Sequence, residues 1–68
     1  MTVSSKLKQT LASVRGSQST LNIYSLQEKD KETMNAYKKA LSVTDKIIND
    51  LEKRIETIEL EEPQYKGN

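Results

Sequence analysis

Apolar residues recur at alternating steps of three and four between about Lys31 and Glu61. This spacing is typical of an α-helix with one apolar face, because three or four residues correspond to about one helical turn. Ala40 and Ile47 widen the stripe on one flank, which favours a helix bundle over an isolated two-stranded coiled coil. The central positions of the stripe are Met34, Tyr37, Leu41, Thr44, Ile48, Leu51, Ile55 and Ile58.

A thinner stripe predicts a first helix from about Ser4 to Gln27. The polar stretch RGSQST at 15–20 interrupts it with weak helix formers, so its order should depend on packing. Gly16 costs about 1 kcal/mol in a helix interior, and we interpret it as a point of close helix approach rather than a kink. The stripe comprises Leu7, Leu11, Val14, Gln18, Leu21 and Ser25.

The connection between the two helices is short, which makes them antiparallel neighbours. Asp30 is placed to cap the second helix, and Pro63 is placed to end it. The chain is therefore predicted to be an all-α antiparallel two-helix hairpin. Its predicted parts, within a single domain at 1–68, are helix 1 at about 4–27, a turn at 28–30, helix 2 at about 31–61 and a tail at 62–68.

Charge is unevenly distributed along the chain. Residues 1–27 contain Lys6, Lys8 and Arg15 and no acid, whereas acidic residues dominate 45–62. The basic start of helix 1 and the acidic end of helix 2 are each unfavourable for the local helix dipole. Because these two ends meet in an antiparallel hairpin, we expect them to form ion pairs.

A hairpin of this size has little core of its own, so we predict that two copies form a four-helix bundle, a homodimer. Helix 2 is longer than helix 1, so its far end, with Ile55 and Ile58, should project beyond helix 1. Near the turn the apolar surface broadens, because Leu21, Ile23, Tyr24 and Leu26 cannot all face one neighbour. We expect the second chain to contact this region. The predicted self-association seam is Leu7, Leu11, Val14, Leu21, Tyr24, Met34, Tyr37, Leu41, Ile47, Ile48, Leu51, Ile55 and Ile58.

Candidate chemistry is sparse. The chain has no His and no Cys, and its net charge is +1, so we expect no enzyme, no cofactor and no nucleic-acid partner. No apolar run is long enough for a transmembrane segment, and without a secretory signal the expected location is cytoplasmic. The alternatives are a carboxylate metal or ligand site inside the bundle and, more weakly, peripheral binding to a membrane surface.

Gln18 and Thr44 are polar positions in otherwise apolar stripes. They either form a buried polar layer that fixes register and oligomeric state or lie at the edge in contact with solvent. The sequence leaves both possibilities open.

The segments MTVSSKLKQTLASVRGSQSTL and LEEPQYKGN resemble a small bacterial family catalogued as domain of unknown function 1657. The motifs that carry the resemblance are LKQTLAS at 7–13 and EEPQYK at 61–66. Members occur in spore-forming Gram-positive bacteria. The resemblance therefore implies a sporulation-linked role as a partner of a spore membrane protein, in the forespore or spore interior and peripheral to the membrane. It supplies no catalytic residues.

The closing EEPQYK motif leads to a further hypothesis about the tail. We interpret Glu61, Glu62, Pro63, Gln64 and Tyr65 as a docking segment for the partner. In the alternative interpretation, Pro63 only stops the helix and Tyr65 folds back over Leu7 or Ile58.

Overall fold

The computed structural model of the protein describes residues 3–61. Two helices account for nearly all of this range: α1 at Val3–Gln27 and α2 at Lys31–Glu61. They pack against each other as an antiparallel hairpin whose Cα atoms extend over 49 × 16 × 11 Å. The described chain is thus a flat ribbon, one helix thick, and the predicted all-α hairpin is confirmed.

The start of α2 is fixed by Asp30. Its carboxylate Oδ2 accepts hydrogen bonds from the Thr33 hydroxyl at 2.7 Å and from the Thr33 backbone N–H at 2.9 Å. The backbone N–H of Met34 donates to the Asp30 carbonyl at 2.9 Å, as the first bond of the helix. This is the N-cap predicted from the sequence, and it satisfies a backbone donor that the helix itself leaves unpaired.

The loop itself is held by Glu28. Its backbone N–H donates to the carbonyl of Tyr24 at 3.0 Å, in continuation of α1. Its side-chain Oε1 accepts from the backbone N–H groups of Lys29 at 3.0 Å and Asp30 at 2.9 Å. A three-residue connection can therefore reverse the chain with its backbone donors paired.

The core between the helices is small. Among the described residues, the buried apolar side chains are Leu11, Ile48 and Ile55, and Leu7, Val14 and Leu51 pack partly buried against them. Two small polar residues are also buried, Ser4 and Ser25. The Ser4 hydroxyl oxygen has no hydrogen-bond partner in this part of the chain.

The predicted overhang of α2 is wrong for Ile55, which is buried, and for Ile58, which is half-buried. Ile58 shares a groove with Val3 and Leu7 at the open end of the hairpin. Helix side chains tilt toward their own N-terminus. Side chains near the end of α2 therefore lean back toward the turn, and those near the start of α1 lean away from it, so that the two sets meet.

Two ion pairs join the helices in the described range. Lys8 Nζ lies 3.1 Å from Glu59 Oε2, and Arg15 Nη2 lies 2.7 Å from Glu52 Oε2. The first confirms the predicted contact between the basic start of α1 and the acidic end of α2. Both pairs are solvent-accessible, so each contributes at most about 1 kcal/mol.

The interpretation of Gly16 as a close-approach point is wrong. A Cβ atom placed on Gly16 would have no neighbouring atom within 4 Å, apart from its own helix backbone and chain neighbours. Gly16 lies on the exposed side of α1, where no other helix approaches it in the described structure. It therefore carries the usual helix-propensity cost of glycine without a packing benefit.

We predict that replacing Gly16 with Ala stabilises the protein by up to about 1 kcal/mol, because alanine loses less backbone entropy in a helix. Urea unfolding followed by circular dichroism measures this change. The matched control is Ala12→Gly, a reverse substitution at another exposed position of α1, which should destabilise by a similar amount. A loss of stability in Gly16→Ala would show that this surface is covered.

We also predict a pH-dependent contribution from the cap. The hydrogen bonds from the Thr33 hydroxyl and backbone N–H hold the pKa of the Asp30 carboxyl below its ordinary value of 3.8. A lowered folded-state pKa adds stability above pH 3.8, and this contribution disappears as the pH falls through the folded-state pKa.

Comparison with Asp30→Asn isolates this effect, because asparagine caps a helix but does not titrate. Relative to that variant, the wild-type chain should lose stability as the pH falls below 3.8, measured by thermal unfolding at a series of pH values. A stability difference that does not change with pH would contradict the assignment.

Candidate functional site

The two broad sides of the ribbon carry different residues. Two kinds of position flank the core stripe of a helix, and they lie on opposite sides of it. Side A consists of the positions four residues after a core residue, and it includes both ion pairs. Side B consists of the positions one residue before a core residue, and it includes Val3, Ile47 and Arg54.

Side A is a row of polar contacts between the helices. Arg15 and Lys8 are seven residues apart on α1, and their acceptors Glu52 and Glu59 are seven apart on α2. Asp45 continues the acidic row toward the turn. Its carboxylate accepts a hydrogen bond from the side-chain amide of Gln18.

Gln18 also contacts Thr44, which answers the question that the sequence left open. Gln18 Nε2 donates to Thr44 Oγ1 at 3.1 Å, and the Thr44 hydroxyl donates to the carbonyl of Leu41 at 2.8 Å. Both polar side chains are half-buried. They form a polar contact between the helices at the edge of the core, on side A, rather than an enclosed layer.

The acidic residues of side A bear on the metal-site alternative. Glu52 and Glu59 are engaged by basic residues of α1, and Asp45 by Gln18. Within residues 3–61, no cluster of three or more acidic side chains is arranged to hold a metal ion. The three acids of side A are therefore engaged by side chains of α1.

Side B has little charge along most of its length. The α1 positions on this side are Val3, Thr10, Ser17 and Tyr24, and the α2 positions from the turn onward are Thr33, Ala40 and Ile47. Ile47 is 43% exposed although it belongs to the apolar stripe. Charge enters only near the open end, where Asp50, Lys53 and Arg54 line a groove with Val3, Leu7 and Ile58.

Tyr24 and Tyr37 form the end of side B nearest the turn. Their ring centroids are 6.1 Å apart and the rings are tilted by 51°, a geometry typical of favourable aromatic pairs. Tyr37 is half-buried, whereas Tyr24 is exposed. The pair links the two helices and leaves one aromatic face accessible.

Most residues of the predicted self-association seam pack within the hairpin itself. Three are buried, as described above, and two, Tyr24 and Ile47, are exposed. Contact of the seam with a second chain remains a prediction. The half-buried members are Leu7, Val14, Leu21, Met34, Tyr37, Leu41, Leu51 and Ile58.

The apolar residues near the turn do not all face one neighbour, as predicted, and their contact with a second chain remains a prediction. Leu21 is half-buried and Tyr24 lies on side B, whereas Ile23 and Leu26 are 52% and 78% exposed on other faces of α1. In the predicted docking segment, Glu61 is exposed at the end of α2. Residues 62–65 of that segment lie outside the described residues.

Sequence reasoning missed the Arg15–Glu52 pair and the contact of Gln18 with Asp45. Both had a signal in the sequence, because Arg15 follows Lys8 by seven residues and Asp45 precedes Glu52 by seven. Heptad spacing of opposite charges on two helices indicates a common edge. The excess of acid at 45–62 was evident, but its alignment with Lys8 and Arg15 on α1 was not.

Neither helix described here is long and apolar enough to cross a membrane. Nothing among the curated proteins or the solved structures matches the chain. Residues 7–55 match the family described as protein of unknown function, DUF1657. The match covers both helices and the turn, though not the EEPQYK motif at 61–66. Because it extends over well more than half of the sequence, the chain belongs to the DUF1657 family.

Proposed function

We propose that this protein is a non-enzymatic interaction module that works by self-association of its helical hairpin. The observation that carries the proposal is the exposure of Ile47 on a side that is uncharged from the turn to the middle of α2. Apolar surface of this kind, when continuous, marks interaction sites in proteins that are otherwise polar. The proposed assembly is a homodimer in the form of a four-helix bundle.

The small core supports the same proposal. Leu11, Ile48 and Ile55 are the buried apolar side chains of the described residues, and chains below about 70–80 residues rarely gain enough stability from one such core. The chain has no cysteine for a disulfide. Association with another copy adds the missing layer, because two ribbons stacked together enclose a core between four helices.

The biological setting is the more specific part of the proposal. We propose a sporulation-linked role, in which the assembled module docks to a spore membrane protein through Glu61, Glu62, Pro63, Gln64 and Tyr65. Support comes from the resemblance of the sequence to a family found in spore-forming bacteria. The segment is well suited to docking in composition, since it combines two carboxylates with a proline and a tyrosine.

Light scattering on a sizing column, together with circular dichroism, tests self-association over a wide concentration range. We expect a helical species of twice 7.7 kDa, which loses helicity as dilution favours the monomer, because folding and association are linked. A monomer at every concentration would contradict self-association. If that monomer were also poorly helical, a different protein would have to supply the missing surface.

Replacement of Tyr65 with Ala tests the docking segment. We expect capture of the spore membrane partner to fall while the melting temperature stays unchanged, because the proposed role of this side chain is in binding. The readouts are a pull-down from sporulating cells and thermal unfolding of the purified protein. A lower melting temperature with unchanged capture would contradict docking and favour a tyrosine that folds back over Leu7 or Ile58.

A further inference from the structure

We infer that the self-association surface is side B alone and that a second copy of this chain, related by a two-fold axis, covers it. This inference rests on the proposed function, because it names the surface and the partner of the same self-association. It differs from the seam predicted by sequence in one respect. Most seam residues already pack inside one hairpin, so the second copy must meet the flank that carries Ile47.

Side A is unsuitable for burial because its charges are already satisfied in water. Lys8 pairs with Glu59 and Arg15 pairs with Glu52, with the Arg15 and Glu52 side chains 54% and 46% exposed. Covering them would remove water from four charged groups without supplying new partners. Such desolvation commonly costs more than the attraction within the pairs returns.

Side B is suited to burial, because its centre carries no charge that would lose water on contact with a partner. Thr10 and Ser17 on α1 and Ala40 and Ile47 on α2 are short or apolar, and none carries a charge. In a two-fold interface the same patch is used twice, so a charge at its centre would face its own copy or a near neighbour. An uncharged centre avoids this repulsion.

The open end of side B carries charges of both signs, Asp50 beside Lys53 and Arg54, so a second copy can supply partners of opposite sign. Asp50 and Arg54 have opposite signs, lie four residues apart, and line the same groove. No ion pair joins them within the described hairpin, where only the two pairs of side A occur. Both groups therefore remain available to the complementary group of a two-fold partner.

The dimensions of the ribbon fit a stable dimer. Its broad side spans 49 × 16 Å, an outline on the order of 800 Å², so a partner would have to cover most of this side to bury the area typical of a specific interface. The hairpin is one helix layer deep, because its two helices lie side by side. Stacking two ribbons on side B gives the two-layer arrangement of a four-helix bundle.

A second copy fits better than an unrelated partner because the need for cover arises from folding. A hairpin with three buried apolar side chains in its described part depends on its partner for stability. A second copy is available whenever the chain is synthesised, and it brings the same uncharged centre to the interface.

Single cysteines test which side is covered, since the native chain contains no thiol. The matched variants are Ile47→Cys on side B and Ile23→Cys on the exposed face of α1, where the isoleucines are 43% and 52% exposed. Thiol labelling should slow with rising protein concentration for Ile47→Cys and stay constant for Ile23→Cys. Protection of both thiols, of neither, or of Ile23→Cys alone would overturn the assignment to side B.

A second pair, Ile47→Glu and Ile23→Glu, measures the oligomer directly by light scattering. Two carboxylates buried in a symmetric interface should raise the dissociation constant of the Ile47→Glu dimer by more than about tenfold, whereas Ile23→Glu should keep the wild-type mass. A stable Ile47→Glu dimer would refute the use of side B but leave self-association standing. A wild-type chain that is monomeric throughout would refute both proposals.

Discussion

Two antiparallel helices share a single line of contact, and the rest of this structure follows from that geometric limit. Each helix can turn one narrow stripe toward the other, which here buries Leu11, Ile48 and Ile55. The apolar stripe of α2 is wider than this contact line, because Ala40 and Ile47 extend it on one flank. A two-helix ribbon has no second layer to receive them, so the extra width remains at the surface as Ile47.

Polar residues determine how the two stripes meet. The helix dipole disfavours Lys8 near the start of α1 and Glu59 near the end of α2, yet the antiparallel arrangement brings the two within 3.1 Å. A parallel arrangement would leave both charges unpaired in unfavourable positions. The pairs on side A add little stability, because solvent screens them, but they favour one direction of packing. They also keep this side well hydrated, which leaves side B as the surface suited to burial.

The sequence predicted the elements more accurately than the contacts between their ends. The heptad spacing of α2 and the capping carboxylate of Asp30 depend on neighbours in the chain, so local patterns suffice to predict them. The direction of the hairpin followed from the short turn and the charge distribution. These features were enough to predict the antiparallel hairpin and the contact between the basic start of α1 and the acidic end of α2, which the Lys8–Glu59 pair confirms.

The errors concern properties that depend on where side chains point. Counting residues from the turn placed Ile55 beyond α1, because the count ignores the tilt of helix side chains toward their N-terminus. Gly16 looked like a contact because glycine permits close approach, and only the structure shows that nothing approaches it.

The family match includes the residues on which self-association depends but not those proposed for docking. It spans residues 7–55, which contain the whole turn, the Arg15–Glu52 pair and the exposed Ile47. It stops before the segment 61–65, on which the docking hypothesis depends. Ile47, on which the self-association argument depends, lies within the matched residues. Docking through the tail requires independent support, because neither the match nor the described structure includes Pro63 and Tyr65. The assembly of the hairpin is consequently the first property to establish, since any partner must bind to the surface that assembly leaves exposed.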